Sequence, residues 1–125
     1  MLNESQIKNL NGGDLAFVGD SYYENVIRTY VLNKSITSLR KLHNECVRYV
    51  SRNAQNKIIM NLMDELTEEE QGIFKRGRNY NYTQKTAEYI NASGFEAVIG
   101  YLYLLKDESR ADYLITRSIE IIEVQ

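Results

Sequence analysis

An all-helical domain is the fold this sequence predicts, and three observations carry the expectation. The 125 residues contain no proline and only seven glycines, so few residues are available to punctuate a strand-and-turn fold. Apolar residues recur at three- and four-residue spacing rather than alternating. Side chains able to cap a helix, among them Asp14, Ser35, Thr37, Thr67 and Ser109, stand where those apolar stretches begin.

Taken in order, a short helix is expected around Ser5 to Leu10, then a break at Gly12 and Gly13. A second helix begins near Asp14 and runs to about Leu32, with Leu15, Val18, Tyr22, Val26 and Tyr30 as its buried stripe. Ala16, Asp20, Glu24 and Arg28 form another stripe, in which Glu24 precedes Arg28 in the favourable orientation for a helical ion pair. A third helix starts at Ser35 or Thr37, with Leu39, Leu42, Cys46 and Val47 inward and Arg40, Lys41, His43 and Arg48 outward. After a joint at Ser51 to Asn53, Ala54, Ile58, Ile59, Leu62 and Met63 line a fourth. Thr67-Glu68-Glu69-Glu70 reads as a capping box that opens a short helix ending near Gly77.

Arg78 to Thr86 is polar, basic and tyrosine-bearing, and is expected to be a loop. SGFEAVIGYLYLLKD then makes a strongly apolar helix with Phe95, Val98, Ile99, Leu102 and Leu105 inward. Ser109 with Asp112 opens a last helix through Ile122. No repeat, low-complexity tract or linker interrupts the pattern, so a single domain over 1–125 is expected.

Composition narrows the function. No run approaches the roughly 18 to 20 apolar residues of a membrane span, and MLNESQIKNLNGGD lacks the basic and apolar blocks of a signal peptide. Cys46 is the only cysteine, which excludes an internal disulfide and, with the rest, leads to a cytoplasmic expectation. The net charge of −2 argues against a general polyanion binder. Eleven of the fifteen Lys and Arg residues nevertheless fall between Arg28 and Lys85. QGIFKRGRNYNYTQKTA carries Lys75, Arg76, Arg78 and Lys85 with no acid, either as a phosphate contact or as a solvated loop.

Two acids stand out in apolar surroundings: Asp20 in FVGDSYY and Glu96 in SGFEAVIGYLYLL. Gly19 adjoins the first, and Gly100 lies one turn beyond the second, so their two helices could approach closely enough to face both carboxylates together. Facing anions repel unless one is protonated or a divalent cation joins them. A hard Mg²⁺ site for phosphodiester hydrolysis is the sharper reading; two surface acids at the edges of their stripes remain the alternative. His43 is the only histidine, which excludes a paired-histidine metal centre. Cys46 falls on an apolar face, where a structural thiol is expected, and GGDLAFVGD lacks the lysine of a phosphate-binding loop.

At these residues the chain resembles the ribonuclease III family, most closely its Mini-ribonuclease III branch, which consists of the catalytic domain alone. DLAFVGDSYYE resembles the family's signature helix and SGFEAVIGYLYLL its second metal-binding helix. KLHNECVRYVSRNAQNKI and ELTEEEQGIFKRGRN lie between them in matching order. The resemblance implies an all-helical, homodimeric, Mg²⁺-dependent endonuclease for double-stranded RNA, with Mn²⁺ as an alternative ion, that matures ribosomal RNA precursors. It matches Asp20 and Glu96 to the catalytic, metal-holding acids, Glu24 to a supporting acid acting through Arg28, and Phe17 to the aromatic that inserts into the partner subunit. Full-length relatives carry further acids where this chain has Ala16 and Ser93, a departure that the Mini-ribonuclease III branch shares.

With no double-stranded-RNA-binding domain expected, Lys75, Arg76, Arg78, Asn79 and Lys85 are the candidate RNA contacts, Arg76 and Arg78 as forked phosphate donors. Tyr80 and Tyr82 could stack on RNA or pack on the domain. A ribosomal protein that presents the substrate is a further partner to be considered. A non-catalytic helical RNA-binding or scaffolding domain is the alternative function, kept open by Ala16 and Ser93.

Overall fold

Seven helices follow one another among the described residues: α1 (Glu4–Lys8), α2 (Gly12–Leu32), α3 (Leu39–Val50), α4 (Arg52–Leu62), α5 (Glu68–Arg78), α6 (Ala87–Leu104) and α7 (Glu108–Glu123). A 3-10 turn, Met63–Glu65, joins α4 to α5. The structure, a computed structural model, describes residues 1–124, and no strand occurs among them.

Side chains fix the helix starts. Asn3, Asn11, Ser38, Ser51, Thr67, Thr86 and Asp107 each accept a hydrogen bond from a backbone N–H of the turn that follows. Such a cap contributes about 1 kcal/mol. The capping box at Thr67 is present as read, with Glu70 closing back onto the Thr67 N–H.

Several expected boundaries move. Asn11, not Asp14, caps α2, and Gly12 and Gly13 lie within its first turn. The cause is packing: a Cβ on Gly12 would stand 2.2 Å from the Arg76 carbonyl oxygen, so this glycine admits the backbone of α5. The third helix waits for Ser38 as its cap, because Ser35 adopts a left-handed φ of 60° that no helix continues. α6 begins at Ala87, well before Ser93, since Thr86 caps the Tyr89 N–H.

The core is organised around α6. Every residue from Asn91 to Leu102 is buried, as expected for a helix that is apolar on all sides. α1, α2, α4, α5 and α7 pack around it. This neighbourhood also corrects the α2 stripe. Leu15, Gly19, Tyr23, Ile27 and Val31 are the buried line, while Val18, Tyr22, Val26 and Tyr30 flank it half-buried. α6 lies directly on Gly19, and that contact decides which line of α2 turns inward. On α3 the inward residues are Cys46 and Tyr49. Leu39, 84% exposed, and Val47 instead border an apolar groove with Val31, Leu32, Leu42 and Val50.

The α2–α6 crossing is backbone on backbone. A Cβ on Gly19 would fall 1.7 Å from the Glu96 carbonyl oxygen, and one on Gly100 would fall 2.0 Å from that of Leu15. No side-chain shift relieves a clash with a carbonyl, so Gly19→Ala is expected to destabilise the protein by about 2 kcal/mol or more in denaturant unfolding, despite alanine's better helix propensity. Gly72, on α5, has nothing within 4 Å of its added Cβ. Gly72→Ala should therefore stabilise by roughly 0.5–1 kcal/mol. Equal effects at the two positions would contradict this account of the crossing.

Candidate functional site

Because Gly19 rests on the backbone of Glu96, the residue after it, Asp20, is delivered to the Glu96 side chain. Asp20 is exposed, Glu96 is 3% exposed, and the two carboxyl groups lie close enough to interact directly. α4 supplies the rest of the setting. Arg52 Nη1 donates to Glu96 Oε1 at 2.9 Å, and Gln55 Nε2 donates to Oε2 at 3.3 Å.

The Glu96 carboxyl is pushed up to about 8, chiefly by burial and further by Asp20, against the opposing pull of Arg52 and Gln55. One cation and one amide therefore do not offset the cost of an anion buried here beside another acid. Among the described residues no group of three or more His, Cys, Asp or Glu side chains comes together for an ion. What the site does offer is oxygen: the two carboxylates, and Gln55 Oε1, which is buried and without a hydrogen-bond partner. An all-oxygen donor set with few charges, open to solvent on the Asp20 side, fits a hard cation such as Mg²⁺ better than zinc or a softer metal. Asp20 and Glu96 are the residues that could hold it.

One turn beyond Asp20, Glu24 forms the expected pair with Arg28 at 3.5 Å and borders the apolar groove between α2 and α3. Ala16 and Ser93 are both buried, and neither contributes a charge. Phe17 is 82% exposed on the outer face of α2. His43 is exposed, and Cys46 is buried, its thiol pushed up by burial.

The basic segment divides into two kinds of residue. Arg76, exposed and expected as a forked donor to phosphate, uses its Nη1 to donate to the carbonyls of Lys8 and Leu10 at 2.8 and 3.0 Å. It ties α1 and the start of α2 to α5, because those carbonyls at the end of a five-residue helix have few other donors. Arg78 Nε donates to Asn91 Oδ1 at 2.7 Å, and Asn91 passes the chain on to Asn56 at 2.9 Å. Lys75 is exposed; Asn79, also exposed, closes α5 through its N–H to the Lys75 carbonyl. Lys85, exposed as well, donates to Asn81 at 2.6 Å.

Tyr82 packs rather than projecting free. Its hydroxyl donates to the Gly77 carbonyl at 2.8 Å, and its ring meets those of Tyr80 at 4.9 Å and Tyr89 at 5.5 Å. The Arg52 guanidinium lies 4.4 Å from the Tyr89 ring centre. An unbroken series of contacts, Tyr82 to Tyr89 to Arg52 to Glu96, thus joins the basic loop to the acid pair.

Arg52, Gln55 and Tyr89 were not found from sequence. Arg52 fell in a presumed joint and is instead the first residue of α4. The signal for Gln55 was available: it lies on the line of Ile58, Ile59 and Leu62, an amide where the pattern calls for an aliphatic residue.

Known proteins resemble this chain in sequence and in fold. A family model described as the ribonuclease III domain matches residues 13–107. The chain is 40% identical to Mini-ribonuclease 3 of Clostridium tetani, over 96% of this chain and 83% of that one. It is also 40% identical to Mini-ribonuclease 3 of Streptococcus pneumoniae, over 91% and 94%. A crystallised protein of Fusobacterium nucleatum superposes with a TM-score of 0.80 at 31% identity, over 91% of this chain and 95% of that one.

The buried acid has a consequence for stability. An ordinary glutamate loses its proton near 4.5, while Glu96 in the folded chain holds it to about 8. The native state thus binds the extra proton between those values, and its stability falls as pH rises through them. Glu96→Gln, melted in chelator, should match wild type near pH 4.5 and exceed it by roughly 5 °C or more at pH 8.5. A difference that does not change with pH would contradict the burial of an unresolved charge at this position.

Proposed function

This chain belongs to the ribonuclease III family, an endoribonuclease family, and from that membership we propose that it is a Mg²⁺-dependent endonuclease cutting double-stranded RNA as a homodimer. The observation that carries the proposal is the Gly19–Gly100 contact, which sets Asp20 against a buried Glu96. A cation seated there would supply the positive charge that lowers the pKa of an attacking water and neutralises the departing 3′-oxygen.

The chain's own residues have distinct tasks in this reading. Asp20 stands at the solvent edge, where it would hold the ion on its solvent side. Glu96 forms the inner wall, its carboxylate held in one orientation by Arg52 and Gln55. Arg52, paired to Glu96 and stacked on Tyr89, presents its partly exposed guanidinium at the rim, where a phosphate would arrive. Glu24 supports the helix surface through Arg28.

RNA contact would come from the catalytic domain itself. Lys75, Arg78, Asn79 and Lys85 are the candidate phosphate and 2′-hydroxyl contacts, and Arg76 is assigned to structure instead. Exposed Phe17 and the apolar groove between α2 and α3 are the surfaces a second copy would cover, giving one acid pair for each strand of a duplex. Ribosomal RNA precursor is the proposed natural substrate, processed in the cytoplasm and presented by a ribosomal protein. Among the described residues no helix is long and apolar enough to cross a membrane.

Cleavage of a long double-stranded RNA at low salt tests the reaction. Cutting should require Mg²⁺ and stop in chelator. Asp20→Asn and Glu96→Gln should each reduce it roughly 100-fold or more, as loss of a group serving transition-state charge typically does. Variants that cut at wild-type rates would remove the acid pair from the mechanism. Wild type that binds duplex RNA but never cuts it would favour the non-catalytic RNA-binding reading.

Duplex binding by Glu96→Gln should weaken roughly tenfold or more between 50 and 200 mM salt. Lys75→Gln and Lys85→Gln should lower its affinity and its salt dependence. Arg76→Gln should lower the melting temperature with little effect on affinity. Affinity independent of salt, or an Arg76 effect confined to RNA, would overturn these assignments.

A further inference from the structure

Gln55 is the one side chain at the acid pair whose hydrogen bonding does not close. It is 1% exposed, on the same buried line of α4 as Ile58, Ile59 and Leu62. Its Nε2 donates to Glu96 Oε2, while its Oε1 is buried and has no partner among the described residues. Buried amide oxygens are almost always paired, and an unpaired one is disfavoured. A methionine would fill this line without that penalty. Against the charged Glu96 carboxylate, the form a cation would hold, turning the amide over gives no relief: it would set oxygen against oxygen and leave the NH₂ group without an acceptor.

The orientation of the amide is therefore dictated by Glu96, and the free oxygen, on the same amide as the bonded Nε2, is left close to the Glu96 carboxylate. Only two carboxylates stand there, because Ala16 and Ser93 bring no charge. A hydrated Mg²⁺ held by two acids retains several waters, and those waters need acceptors. We infer that Gln55 is a positioning residue of the cation seat: Nε2 fixes the Glu96 carboxylate, and Oε1 accepts a hydrogen bond from a water in the cation's hydration shell. The inference rests on the reading that Asp20 and Glu96 hold a cation. A neutral amide suits the position, since a third carboxylate would add a further repulsion against Glu96.

The test is Mn²⁺ binding to the whole chain without RNA, measured by electron paramagnetic resonance of the free ion, together with melting in chelator and in Mn²⁺. Gln55→Met is expected to weaken Mn²⁺ binding roughly 10- to 100-fold while remaining folded in chelator. Gln55→Glu should shift the other way: a lower melting temperature than wild type in chelator, and a larger rise than wild type on adding Mn²⁺. A purely structural glutamine would move melting temperatures without this opposition of sign.

Wild-type Mn²⁺ affinity in Gln55→Met overturns the inference. If that variant does not fold, a Gln55→Glu response to Mn²⁺ no larger than wild type overturns it equally. Asp20→Asn separates the two levels. Loss of Mn²⁺ binding in Asp20→Asn with full binding in Gln55→Met defeats the role of Gln55 alone. Full binding in Asp20→Asn defeats the cation seat on which that role depends.

Discussion

Everything in this domain depends on how closely two helices can cross. Gly19 and Gly100 remove the side chains at the α2–α6 contact, so a carbonyl of each helix occupies the space a Cβ would need on the other. Helices at ordinary separation would hold Asp20 and Glu96 apart, on two surfaces instead of one. The same device recurs where α5 meets its neighbours. Gly12 lies on the Arg76 carbonyl, Gly77 on Ala97 and Gly94 on the Phe74 ring, and these seat α5 against α2 and α6. The glycines of this chain act mainly as contact points.

Close approach creates an electrostatic conflict and leaves it in place. Glu96 is the one acid of the central buried run of α6, and burial beside Asp20 holds its carboxyl near 8 in spite of Arg52. Elsewhere four acids at different depths are settled by pairing. Glu70 receives both Nε and Nη2 of Arg110, Glu65 receives Arg117, and Glu45 and Glu123 share Lys34 with the Tyr49 hydroxyl; all four carboxyls are held below their usual range. A fold that settles its structural acids by pairing, yet buries one acid against another and leaves the amide oxygen of its hydrogen-bond partner unpaired, concentrates its local disagreement at one place. That is the pattern expected of a site that works on something outside the chain.

Much of this was legible in the sequence for reasons that can be stated. The Gly19-Asp20 and Glu96-Gly100 spacings encode the close crossing and its acids, and the Thr67 box and the apolar run of α6 are local signals. What was not legible depended on tertiary contact. The buried line of α2 is set by the helix lying on Gly19, so Tyr23 and Ile27 replace Tyr22 and Val26 although the periodicity suits either. Arg76 and Arg78 look alike in KRGRN, yet one serves the carbonyls ending α1 and the other an asparagine on α6. Arg52 and Gln55 approach Glu96 from far along the chain, and only the amide on an aliphatic line hinted at it.

The proposed function makes Glu96 a buried carboxyl that a divalent cation, shared with Asp20, would hold in its charged form. The most direct measurement is the side-chain carboxyl ¹³C titration of Glu96, first in chelator and then in saturating Mg²⁺. The account requires a midpoint near 8 in chelator and a clear fall when Mg²⁺ is added. A midpoint near the ordinary glutamate value of 4.5, unmoved by Mg²⁺, would contradict it.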